Sequence, residues 1–100
     1  MMYGLKDEHI NKMLSVFVNY SEIDKVILYG SRAKGDFRNG SDIDLSLVGD
    51  ELNSDILSRL ESDFDDLLLP YKIDISIFNK IDNLDLISRI NRIGVVLYKK

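Results

Sequence analysis

KVILYGSRAKGDFRNGSDIDLSLV, residues 25–48, is the stretch on which the fold turns. Lys25 to Tyr29 is a β-branched and aromatic run stopped by Gly30, the pattern of a buried strand followed by a sharp change of direction. Gly35, Asn39 and Gly40 then punctuate a loop, with a short turn or helix directly after Gly30. From Ser41 the sequence alternates. Asp42, Asp44 and Ser46 take one face of a second strand, and Ile43, Leu45 and Leu47 take the other. Aspartate is depleted in strands, so two of them on one strand face call for a chemical reason.

The flanking sequence supplies the elements that such a pair of strands packs against. Upstream, Ile10, Met13, Leu14, Phe17 and Val18 follow helical spacing, which predicts a helix over residues 7–20 with Asp7 as its N-cap. His9 then reads as a surface residue of that helix, and the five tyrosines as core-edge or surface residues. Downstream, a second long helix opens at Ser54 or Asp55. Its apolar stripe is Leu57, Leu60, Phe64, Leu67 and Leu68, and Pro70 follows its end. KIDISIF, residues 72–78, repeats the earlier alternation, with Ile73, Ile75 and Ile77 on one face and Asp74 and Ser76 on the other. A shorter helix over residues 83–92 and a last, edge strand over Val95 to Tyr98 complete the chain. The expected fold class is α+β: a small mixed sheet with helices packed on one face, in one domain spanning residues 1–100.

Composition bounds what this domain does. Apolar residues make up 45% and charged residues 30%, an ordinary globular balance. A domain of this size buries only about 60 to 65% of its unfolded surface, so extra stability from a partner would be unsurprising. No run is apolar and long enough to span a membrane, the N-terminus lacks the pattern of a signal peptide, and there is no cysteine. These features lead to the expectation of a cytoplasmic protein without disulfide, thiolate-metal or thiol chemistry. A net charge of −4 argues against nucleic acid as the main ligand, because that binding rests on neutralising phosphates with Lys and Arg. Even so, Arg32, Lys34 and Arg38 cluster within the opening stretch.

Asp-x-Asp alone carries little weight, since thirteen of the hundred residues are Asp and a second copy, Asp63-Phe64-Asp65, lies in the second helix. Geometry separates the copies. Residues i and i+2 diverge on a helix, which makes Asp63 and Asp65 solvent-face residues. On a strand they share a face roughly 6.6 Å apart, within reach of one metal centre. Asp42, Asp44 and Asp74 therefore form a candidate set of hard oxygen ligands, suited to Mg²⁺ or Mn²⁺ rather than zinc or copper. Their mutual repulsion calls for a cation or a proton. Gly30 lets the backbone approach a ligand closely, Ser31 adds a hydroxyl donor, and Arg32, Lys34 or Arg38 would offset charge on outer phosphates.

Gly30-Ser31 ending a strand, ten intervening residues, Asp42-x-Asp44 in the next strand and Asp74 in a later one form an ordered constellation. In this constellation the sequence resembles the DNA polymerase β-like nucleotidyltransferase superfamily, and within it the minimal nucleotidyltransferases (MNT, MntA-like antitoxins). GSRAKGDFRNGSDIDLSL is similar to their signature stretch, and KIDISIF and GVVLY extend the likeness over nearly the whole chain. The resemblance implies Mg²⁺-dependent transfer of a nucleoside monophosphate, AMP, from ATP or another NTP to a hydroxyl, with pyrophosphate leaving. Asp42 and Asp44 would hold two Mg²⁺ ions. Asp74 would complete the catalytic metal and help deprotonate the hydroxyl, Gly30 and Ser31 would bind the β and γ phosphates, and Arg32 and Lys34 would meet the triphosphate. Larger members of the superfamily carry extra domains that hold the acceptor, and none is evident here. The resemblance thus points to an antitoxin that adenylylates a tyrosine of a HEPN-domain toxin and forms a hetero-oligomer with it. Two alternatives stand beside it: a non-catalytic antitoxin that masks its partner, and a nucleotidyltransferase acting on a small molecule.

Overall fold

The computed structural model describes residues 1–100. The apolar spacing of the N-terminal segment produces helix α1, Asp7–Phe17, and the β-branched run after it produces strand β1, Lys25–Tyr29. One helical turn, α2, Ser31–Lys34, follows at once. Strand β2, Ile43–Val48, helix α3, Ser54–Asp66, strand β3, Ile73–Ile77, helix α4, Leu84–Ile93, and strand β4, Val95–Lys99, complete the order, with a short 3₁₀ turn over Phe78–Lys80. No helix is long and apolar enough to cross a membrane.

The four strands form one mixed sheet in the order β3-β2-β1-β4. β1 runs antiparallel to both β2 and β4, whereas β2 and β3 are parallel. A parallel pair cannot be joined by a tight turn, and α3 is the crossover that carries the chain from the end of β2 back to the start of β3. The alternation anticipated in β2 and β3, continued by β1 alongside them, is thereby converted into two distinct sheet faces. On one, Val26, Leu28, Leu45, Leu47, Ile75 and Ile77 join a single buried cluster with Met13 and Phe17 of α1 and Ile56, Leu60 and Phe64 of α3. The rings of Phe17 and Phe64 meet there with centroids 5.4 Å apart. Each such side chain contributes about 1.5 to 3 kcal/mol on burial, so this face holds the sheet and the two long helices together.

The opposite face carries a polar row. Tyr29 pairs with Asp44 across β1 and β2, and Asp44 pairs with Asp74 across β2 and β3. Because paired residues project to the same side, the three side chains stand side by side. α4 lies against this side near β1: a β-carbon placed on Gly94, at its end, would lie 2.6 Å from Cγ2 of Ile27. Ile90 of α4 and Tyr29 are buried but stand outside the main apolar cluster.

Element boundaries differ from expectation where local geometry decides them. α1 ends at Phe17, and Val18 is 63% exposed while Val16 takes its place in the buried stripe. Lys6, not Asp7, is the N-cap, and it makes no side-chain cap bond. Asp7 instead places its charge in the first turn, where the helix dipole favours an anion. In α3 the cap is Asn53, whose side chain accepts a hydrogen bond from the Ile56 amide at 3.0 Å. Ile56 belongs to the buried stripe, whereas Leu68 lies beyond the helix end with φ +54° and is 87% exposed. His9 is not a free surface group: its Nδ1 lies 3.1 Å from the Tyr71 hydroxyl, and the two rings meet edge to face.

Candidate active site

The site forms where β1 ends. Tyr29 is the last residue of the strand, and Gly30 turns the chain with φ +77° into the first turn of α2. An L-residue is strained in that conformation. Space gives a second reason for glycine: a β-carbon at this position would lie 2.3 Å from Oδ2 of Asp44. The turn is closed by the Lys34 amide donating to the Gly30 carbonyl at 3.0 Å and the Gly35 amide donating to the Ser31 carbonyl at 2.9 Å. The earliest amides of such a turn have no carbonyl partner within it and remain available to an anion.

A cavity of about 460 Å³ opens beside this turn, a size suited to a nucleotide. Gly30, Ser31 and Lys34 line it from the β1-α2 connection, and Asp44 and Asp74 line it from the sheet. Five of the seven residues singled out from the sequence thus meet in one place. Asp42 does not line the cavity: it is exposed, one position ahead of β2. Its charge nevertheless reaches Asp44. Burial first, then the Asp74 and Asp42 carboxylates, push the Asp44 carboxyl above the ordinary aspartate value.

Arg32 departs furthest from expectation. It is only 3% exposed and lies outside the cavity lining. Its Nε and Nη2 donate to the Ser41 carbonyl at 3.1 and 2.8 Å, and Nη1 donates to the Tyr3 carbonyl at 3.0 Å. The guanidinium carbon also sits 5.0 Å from the Tyr71 ring centroid and 5.5 Å from that of Phe37. With its donors taken up by backbone carbonyls, Arg32 ties the N-terminal segment to the loop that delivers Asp42, and it does not reach toward the expected phosphates. Lys34 does reach the cavity, with its Nζ 3.6 Å from Oδ2 of Asp36. Arg38 is exposed elsewhere, its amide donating to the Ser41 hydroxyl oxygen at 2.8 Å.

Five lining residues were not anticipated: Tyr29, Asp36, Leu86, Arg89 and Ile93. The last three come from α4, and their signal was present in the spacing. Leu86, Ile90 and Ile93 form an apolar stripe at i, i+4 and i+7, and Arg89 falls within it. Tyr29 is 8% exposed, and burial, reinforced by the charges of Asp44 and Asp74, raises its phenol above the usual value against the opposing effects of Ser76 and Arg89.

The donor set fits a hard divalent cation. Carboxylate oxygens are the only strong ligands at the cavity, the chain has no cysteine, and its one histidine is engaged with Tyr71. No three acidic or imidazole groups gather closely enough to cage an ion unaided. That matches the habit of Mg²⁺, which takes one or two carboxylates and fills its shell with water and substrate phosphate.

The profile of the family described as "Polymerase beta, Nucleotidyltransferase" matches residues 11–100. No curated protein sequence matches the chain. Among solved structures, the fold is similar to a chain of a toxin-antitoxin complex with AMP-PNP, with a TM-score of 0.73 and 18% identity over 91% of this chain and 73% of the other. It is also similar to a chain of the complex of tri-AMPylated Shewanella oneidensis HEPN toxin with MNT antitoxin, with a TM-score of 0.69 and 16% identity over 96% and 74%. A chain of the MntA-HepT toxin-antitoxin pair gives 0.69 and 16% over 95% and 74%. At these identities the likeness is one of fold.

Proposed function

The chain belongs to the polymerase beta nucleotidyltransferase family, and we propose that it transfers AMP from ATP to a tyrosine hydroxyl of a HEPN-domain toxin, acting as the minimal-nucleotidyltransferase antitoxin of that pair. The observation that carries the proposal is the meeting of the in-register pair Asp44 and Asp74 with the Gly30-Ser31 turn in one cavity. A pure binding surface has no need of carboxylates that repel one another on one sheet face. The toxin-antitoxin setting rests on the fold shared with antitoxin chains, one of them in complex with an AMPylated toxin.

In this reading Gly30 and Ser31 receive the β and γ phosphates, with Lys34 beside them. The acceptor oxygen forms a bond to the α-phosphorus while the α–β bridging P–O bond breaks. The acceptor's proton passes to the Asp74 carboxylate, and pyrophosphate departs. Asp42, Asp44 and Asp74 would hold two Mg²⁺ ions, with Mn²⁺ as a substitute, and bound metal would lower the pKa of the acceptor hydroxyl and neutralise the leaving group. Holding both reactants in line lowers the barrier by roughly 7 to 11 kcal/mol. The Gly30 backbone and the Asp44 carboxylate stand close enough that even a methyl group between them would clash, which supports a reading in which the phosphate and metal ends adjoin.

The test is transfer of label from α-labelled ATP to the purified toxin partner in the presence of Mg²⁺. Wild type should label the toxin and relieve its toxicity, and a variant carrying both Asp42→Asn and Asp44→Asn should do neither. Equal neutralisation by both proteins without label transfer would establish a masking antitoxin, and turnover on a small hydroxyl compound without any protein acceptor would establish the small-molecule alternative.

A further inference from the structure

We propose that Arg89 is a phosphate-binding residue, gripping the triphosphate of the bound nucleotide from α4 while Ser31 and Lys34 hold it from the β1-α2 connection. The inference rests on the nucleotidyltransferase reading of the cavity and adds a residue outside the signature stretch.

Three observations carry it. The first is place. Arg89 lines the same cavity as Tyr29, Gly30, Ser31, Asp44 and Asp74. The second is partnership. Ion pairs within 4.0 Å are made by the N-terminus, His9 and Lys34, and Arg89 takes part in none; nor does its side chain make a hydrogen bond within the chain. Asp36, Asp44 and Asp74 outnumber the two lining cations, and Lys34 is already shared with Asp36. Arg89 is therefore the one lining cation without a carboxylate, in a cavity whose acidic charge would otherwise repel a triphosphate. The third is anchoring. Ile90, the next residue, is 1% exposed, and the Gly94 amide donates to the Ile90 carbonyl at 2.9 Å at the close contact with Ile27. The backbone at Arg89 is held while its side chain is free.

Chemistry favours arginine for this task. The planar guanidinium matches two phosphate oxygens at once, and it does so without surrendering its proton.

The experiment is titration calorimetry of AMP-PNP with Mg²⁺ into the full chain, for wild type, Arg89→Gln and Arg89→Lys, at a series of KCl concentrations. Because Arg89 is exposed and makes no internal bond, both variants should melt as wild type does. Arg89→Gln should weaken binding roughly 10- to 100-fold and flatten the salt dependence, with Arg89→Lys recovering part of both. Unchanged affinity and salt dependence in Arg89→Gln, with wild type binding normally, would overturn the role of Arg89 alone. Absence of AMP-PNP binding by wild type would instead overturn the nucleotide reading itself.

Discussion

At the scale of single residues, the candidate site is a set of side chains held against their own electrostatic interest. The Asp44 carboxyl is raised above its ordinary value of 3.8 by burial and by Asp74 and Asp42. A raised folded-state value means that the protonated form is the favoured one in the fold: its stabilising effect is complete below pH 3.8 and is lost as pH climbs through the raised value. Above the raised value, ionised Asp44 opposes folding. Asp44→Asn should therefore melt at a higher temperature than wild type above that value without divalent ions, and added Mg²⁺ should raise the melting temperature of wild type more than that of the variant. Scanning calorimetry with and without Mg²⁺ checks both statements. Asp74→Asn keeps the shape of the side chain at an exposed strand position, so it should fold as wild type does and lose toxin labelling. Unaltered label transfer would remove Asp74 from the catalytic set. Arg32 behaves differently. Its donors bond two backbone carbonyls in a buried setting, so Arg32→Ala should cost about 2 to 4 kcal/mol in urea denaturation, chiefly through carbonyls left unsatisfied.

Among elements, two helices that look alike in sequence have opposite assignments. α3 serves the apolar face, and its capping Asn53 is far from the cavity in function: Asn53→Ala should cost about 1 kcal/mol without altering AMP-PNP affinity. α4 serves the polar face. A β-carbon at Gly94 would lie 2.3 Å from the Ile90 carbonyl oxygen and 2.6 Å from Ile27, so Gly94→Ala must displace the end of α4 or the strand beneath it. That substitution should lower both stability and AMP-PNP affinity. Paired melting and calorimetric measurements on the two variants separate a helix that supports the sheet from one that walls the site. The stripe of α4 was readable at helical spacing, but which sheet face receives a helix is not encoded in its spacing, and the lining roles of Leu86, Arg89 and Ile93 were accordingly missed.

For the whole molecule, the apolar face is a single cluster joining both long helices to the sheet, and a part-buried polar bond at its edge links the two helices: the Tyr20 hydroxyl, just past α1, donates to Asp63 of α3. Burial first, then this bond and the Asp63 charge, push the Tyr20 phenol up to about 12 from 10.0. The contribution to stability is whole below pH 10 and is lost as pH rises toward 12. The melting temperature should fall across that interval, and less steeply in Tyr20→Phe. Asp63, read as a solvent-face residue, thus has a structural bond that helical periodicity does not disclose. The strands β1, β2 and β3, the two long helices, the last strand and the shared sheet face of Asp44 and Asp74 were legible in sequence, because alternation and helical spacing are local and each residue's face follows from its neighbours. Position directly after a strand likewise marked the turn at Gly30 and Ser31. What tertiary structure alone decided was register and orientation: the parallel pairing that sets Asp44 beside Asp74, the inward turn of Arg32, and the placement of α4 over the polar row. Those depend on which surfaces separated by tens of residues bury against each other, a property of the packed whole that no local pattern contains.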